Sequence, residues 1–133
     1  MVMRRRQFLQ HAAALAAAAF AGTAWRPLGT RPNHPDPRPG ITAAKVLPAD
    51  RVHDARDEFE QVREIPQIID GIRCPCGCAD REGFYSLLSC YEGDGMAQHC
   101  VICRGEASLA FRMHEQGKSL DEIRTAIDKQ FSQ

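Results

Sequence analysis

The sequence predicts a mostly α fold, a small bundle of three to four helices organised around a cysteine-rich loop. Three observations predict it. Apolar residues recur at steps of three and four both before and after the cysteines, no segment alternates convincingly like a strand, and all six cysteines crowd between Cys74 and Cys103.

The chain opens with Arg4-Arg5-Arg6-Gln7-Phe8-Leu9-Gln10, followed by an alanine-rich apolar run from Ala12 to Ala24. A basic start and a short apolar stretch are the parts of an export signal. A run of about 13 residues is too short for a bilayer core, which needs roughly 20. The pair Arg5-Arg6 with Phe8-Leu9 behind it resembles a twin-arginine signal, although Ser or Thr before the pair and Lys at the end are lacking. Cleavage is expected after Ala21 or Ala24, and no cysteine lies nearby to carry a lipid anchor. The expected location is the periplasm or another extracytoplasmic space. The twin-arginine route carries folded proteins, so a thiol site would fill with metal in the reducing cytoplasm before export. Exported cysteines otherwise tend to become disulfides.

Residues 1–24 are thus read as signal, 25–48 as a proline-rich linker and 49–133 as the helical domain. Without Arg4, Arg5 and Arg6, 14 basic residues face 17 acidic ones, a net charge near −3. That balance speaks against nucleic acid as a partner. The linker Trp25 to Gly40 holds five of the eight prolines and reads as an extended spacer. The core of so small a domain is modest, so metal or disulfide bonds would add useful stability.

Within the domain, Val52, Ala55, Phe59, Val62 and Ile65 predict an amphipathic helix with Asp50 as its N-cap. Pro66 ends it and opens a second helix, Gln67 to Ile72. Cys74 to Gly95 is glycine-rich and irregular, and Phe84 to Cys90 reads equally as a helical turn or a strand. A third helix starts at Cys100, with Gly117 at its C′ position. Ser119-Leu120-Asp121-Glu122 is a capping box for the last helix, whose apolar stripe is Leu120, Ile123, Ile127 and Phe131.

The chemistry lies in Cys74-Pro75-Cys76-Gly77-Cys78, Cys90 and His99-Cys100-Val101-Ile102-Cys103. Cys100 and Cys103 share a helix face, and Gly77 lets the backbone fold so that neighbouring sulfurs converge. Two such segments donating two ligands each suit a closed tetrahedral thiolate site. Cys76, Cys78, Cys100 and Cys103 are the core set, with Cys74, Cys90 and His99 as further ligands. Thiolates favour Cu(I), Zn(II) or an iron–sulfur cluster, and six thiols with His99 would also hold several bridged Cu(I) ions. Copper is preferred over zinc, and a cluster comes last. Two other readings stay open: a disulfide framework with 15 possible pairings, and redox chemistry at Cys100 and Cys103, for which the thioredoxin-like strand before the motif is missing. Three thiols in five residues strain a pure disulfide framework.

Among the remaining candidates, His114 lies ~16 Å from Cys103 along a continuous helix. His53 reads as an exposed polar residue, His34 belongs to the spacer and His11 to the signal. Met96 is a candidate thioether donor, and Asp94 is a turn residue. Hydrolase, zinc-protease and phosphate-loop signatures are missing, so an enzyme is not expected.

The ordered cysteines, together with Ile65-Pro66-Gln67-Ile68-Ile69-Asp70, Gly117-Lys118-Ser119-Leu120-Asp121-Glu122-Ile123-Arg124 and Ile127-Asp128, resemble the PCYCGC-motif proteins. These are small exported bacterial proteins, many of them lipoproteins, with suspected metal binding. The resemblance spans roughly Val52 to Phe131. It departs at Pro75, where the family has tyrosine, in the loss of a histidine after the motif, and in the missing anchor cysteine. It implies the fold and the site and says little of a reaction. The function expected is binding, sequestering or handing on a soft metal, with a metal-handling protein as a possible partner. The alternatives are a structural or protein-interaction module held by disulfides or zinc, and a thiol–disulfide oxidoreductase using Cys100 and Cys103.

Overall fold

The computed structural model describes residues 34–131. The stretch read as a signal, with His11, and the first part of the stretch read as a linker lie outside the described residues. Within them the chain is helical: α1 (Arg56–Glu64), α2 (Pro66–Asp70), α3 (Val101–Glu115) and α4 (Leu120–Phe131). Short 3-10 turns fill the intervals, at Ala43–Lys45, Ala49–Arg51, Cys78–Asp80, Leu87–Tyr91 and Met96–His99. Extended pairing among the described residues amounts to one isolated antiparallel bridge, Val46 to Glu92. No described helix is long and apolar enough to cross a membrane. The mostly α bundle around a cysteine-rich loop is therefore the observed architecture.

The first helix starts later than its periodicity predicts. Asp50 falls in the Ala49–Arg51 turn, and the α-helix begins only at Arg56. The reason is tertiary. Gln98 Oε1 accepts the backbone N–H of His53 at 2.9 Å and of Asp54 at 3.5 Å, which turns the chain before the helix can form. Val52, Phe59 and Val62 are nevertheless all buried, as their spacing requires. Ala55 occupies the N-cap in the left-handed region at φ 62°. An L-residue there carries a penalty of about 1–2 kcal/mol, offset partly by glycine's larger chain entropy. Ala55→Gly is therefore expected to stabilise the protein by roughly 0.5–1 kcal/mol in urea unfolding.

Pro66 starts α2 as expected, but the helix stops at Asp70, and Ile72 is buried just beyond it. Phe84 to Cys90, undecided from sequence, resolves into the 3-10 turn Leu87–Tyr91, capped by Ser86 and Ser89. Its Tyr91 packs edge-on against Phe59 of α1, with ring centres 4.7 Å apart.

The α3 helix buries Cys103, Glu106, Ala107 and Ala110, which recur at helical spacing along one face. It ends at Gln116 with Gly117 at φ 76°. Gly117 N–H donates to His114 and Lys118 N–H to Met113, the paired bonds of a Schellman stop. The Ser119–Glu122 capping box forms in both directions, at 2.8 and 3.2 Å, and α4 buries Ile123 and Ile127.

The linker read at 25–48 behaves differently from His34 onward, where it is strapped to the helices. His34 Nδ1 accepts Arg73 N–H at 3.0 Å while Nε2 meets Asp128 at 2.9 Å. Arg124 donates to the Pro35 carbonyl and Tyr85 to that of Asp36. Arg38 holds the fully buried Asp70 through its guanidinium at 2.8 Å and its own N–H at 2.8 Å, and stacks 4.4 Å above the Tyr85 ring. Proline stiffness thus serves to lay an extended strap across the domain.

Candidate metal centre

The Cys74–Cys78 loop enters the core immediately after α2. Gly77 sits at φ 88°, in open space, where a side chain would be strained by backbone conformation alone. That turn folds the motif back, so that Cys74 is 2 % and Cys78 7 % exposed while Cys76 is half-buried. The Leu87–Tyr91 turn brings in Cys90, and the first turn of α3 brings in Cys103. Tyr91 Oη donates to the Cys103 carbonyl at 2.9 Å, tying the two donor elements together.

The sulfurs converge rather than pair. Cys74 Sγ lies 3.1 Å from that of Cys76 and 3.4 Å from that of Cys103. Cys76 Sγ lies 2.7 Å from Cys78 and 3.8 Å from Cys103. All six cysteines are free thiols. Two triads have their sulfurs mutually within 4.8 Å: Cys74, Cys90 and Cys103, and Cys76, Cys78 and Cys103. Cys103 belongs to both. Four thiolates around one zinc would stand ~3.8 Å apart, given a Zn–S bond of about 2.3 Å; the Cys76–Cys103 separation matches this, and the other pairs lie closer. The cysteine cluster is able to hold a metal ion.

Of the four residues in the core set read from sequence, Cys76, Cys78 and Cys103 come together. Cys100 belongs to neither triad. Its sulfur accepts Cys103 N–H at 3.4 Å as the N-cap of α3, because the residue stands just before the helix instead of within its first turn. Cys74 and Cys90, read as further ligands, lie at the centre of the cluster. His99 is exposed at the end of a 3-10 turn and belongs to neither triad. Met96 is half-buried with its sulfur 3.5 Å from Cys78 Sγ. His114 and His53 are exposed, and His34 is engaged by Arg73 and Asp128.

Glu106 is the residue that sequence reasoning passed over. It sits one turn after Cys103, fully buried, and neither carboxylate oxygen has a hydrogen-bond partner. Burial, and then the charge on Cys74, push its carboxyl up to about 11. The signal was present: an acidic residue on the same helical face as Cys103, Ala107 and Ala110. Within the cluster, hydrogen bonds from Cys103 and then Cys90 hold the Cys74 thiol far below the usual cysteine range. The Cys103 thiol is raised, by Cys74 first and then by Cys90 and burial. Cys74 is thus shifted toward the ionised form and Cys103 toward the protonated one, and a cation bound there would displace the protons that remain.

The donor chemistry fits a metal. Sulfur donors select soft or borderline cations, and a buried carboxyl without a hydrogen-bond partner stands beside them. Fold and site together define a small helical protein with a largely buried cluster of cysteine thiols that is able to hold a metal ion. The chain belongs to the family described as "Protein of unknown function with PCYCGC motif", whose model matches residues 41–133. No curated protein and no solved structure matches it.

Proposed function

We propose that this is an exported soft-metal-binding protein that sequesters an ion or hands it on, with copper(I) preferred over zinc(II) and an iron–sulfur cluster the least favoured. The observation that carries this reading is the convergence of five cysteine sulfurs into two overlapping triads. Pairing into disulfides would leave each sulfur close to one partner, whereas Cys74 and Cys76 each have several sulfurs within 4 Å. The N-terminal Arg5-Arg6 signal supports export by a twin-arginine-type route and a periplasmic or other extracytoplasmic location. Loading before export would protect the thiols from oxidation. The absence of hydrolase and phosphate-loop motifs favours a binding role over an enzyme. A partner that donates or accepts the metal follows from a role in transfer.

The test uses the protein recovered from the periplasm of cells expressing the full chain with its signal. Bound metals are measured by elemental analysis, and free thiols by titration after denaturation and chelation. Near-stoichiometric soft metal with all thiols free supports the reading. Negligible metal with nearly all thiols oxidised overturns it in favour of a disulfide-held module. A single tightly held zinc assigns the site a structural role.

A further inference from the structure

We propose that the centre is a two-ion thiolate cluster in which Cys103 Sγ is the bridge. Cys74, Cys90 and Cys103 form an inner ion position with Glu106 as its counter-charge, and Cys76, Cys78 and Cys103 form an outer position with Met96 as an added thioether donor. This rests on the metal-binding reading and deepens it.

The bridge follows from geometry. Each triad has its sulfurs mutually within 4.8 Å, and the sole residue common to both is Cys103. A thiolate has lone pairs enough to bind two cations, and soft ions share thiolates readily. One mononuclear site would leave at least one of the five sulfurs without an ion. Two independent sites would need a sixth sulfur, and Cys100 is turned to capping α3.

The two positions differ in access. The inner donors Cys74, Cys90 and Cys103 are 2 %, 0 % and 0 % exposed. The outer position includes half-buried Cys76 and is flanked by Met96, which also lines an open cavity of about 460 Å³ beside Phe84 and Glu92. An ion therefore enters and leaves through the outer position, and the inner one retains it.

Two further observations point to ions rather than to a bare thiol cluster. Met96 Sδ stands 3.5 Å from Cys78 Sγ, where a thioether can join a soft cation's coordination. Glu106 is buried completely with both oxygens unpartnered, next to Cys74. A cation at the inner position would give this otherwise unpartnered side chain a charge to meet. Partners of this kind typically tune metal affinity 10–100-fold.

The experiment is anaerobic titration of the reduced full-length protein with Cu(I), buffered by a chromophoric Cu(I) chelator, and circular dichroism on every variant. Wild type is expected to bind two Cu(I) per chain. Cys90→Ser keeps the outer ion, Cys78→Ser keeps the inner ion, and Cys103→Ser loses high affinity for both. Met96→Leu weakens one ion by about tenfold, Glu106→Gln weakens the other by about tenfold, and Cys100→Ser retains both. Absence of Cu(I) binding by folded wild type overturns the metal reading itself. One ion per chain, or the loss of both ions in folded Cys90→Ser and in folded Cys78→Ser alike, overturns the bridged pair and leaves metal binding intact. Loss of an ion in Cys100→Ser overturns the ligand assignment.

Discussion

Replacing Glu106 by glutamine is expected to stabilise the reduced, metal-free protein by up to about 4 kcal/mol at pH 7. Glu106 is fully buried and its oxygens have no partner, and burial followed by the Cys74 charge raises its carboxyl to about 11. A carboxyl raised in the folded state contributes its full stability below the unfolded value, near 4.3, and loses it as pH climbs. At pH 7 folding must therefore draw a proton onto Glu106, at about 1.4 kcal/mol for each pH unit above the unfolded value. Glutamine has the same shape and needs no proton. Urea unfolding with reductant and chelator at pH 7 and pH 4 measures this: the gain should be present at pH 7 and nearly vanish at pH 4. A variant no more stable than wild type at pH 7 would refute the account.

Arg38→Ala is expected to lose about 2–3 kcal/mol, below the 3–5 typical of broken buried pairs because the Arg38 side chain is 40 % exposed. Burial by itself raises the Asp70 carboxyl. Hydrogen bonds from the Arg38 guanidinium and N–H and from Ser86 outweigh it and hold the carboxyl below the usual range. A depressed carboxyl contributes stability that is present above its unfolded value, near 3.9, and is lost as pH falls through the folded one. In Arg38→Ala the guanidinium bond and charge go while burial, the backbone N–H and Ser86 stay, so the carboxyl rises and its charged form, favoured near neutrality, is the one most weakened. The deficit should therefore be largest at pH 7 and shrink toward pH 3. A deficit independent of pH would mean that Arg38 acts through packing on Tyr85 instead.

The helices were largely legible, because their signals are local. Pro66 at a first turn, the Ser119–Glu122 box, Gly117 after α3 and the Ile123–Ile127 stripe each work within about one or two turns of chain. The late start of α1 was not legible, since it depends on Gln98, more than 40 residues away in sequence. Proline content suggested an extended spacer, and what it did not show is that from His34 onward the segment is strapped to the helices, Arg38 to Asp70 and His34 to Asp128.

The centre divides in the same way. Sequence alone determined that the thiols cluster, that three of them sit in one five-residue loop around Gly77, and that Cys103 lies on a helix. Those facts follow from spacing along the chain. Only the tertiary structure decided which sulfurs meet. Cys90 reaches Cys74 and Cys103 because the Leu87–Tyr91 turn is buried against α2 and α3, Cys100 is diverted to capping α3, and Glu106 is drawn inside by the helical face it shares with Cys103. Chain spacing sets which donors are available, while packing between distant elements sets the directions in which they point.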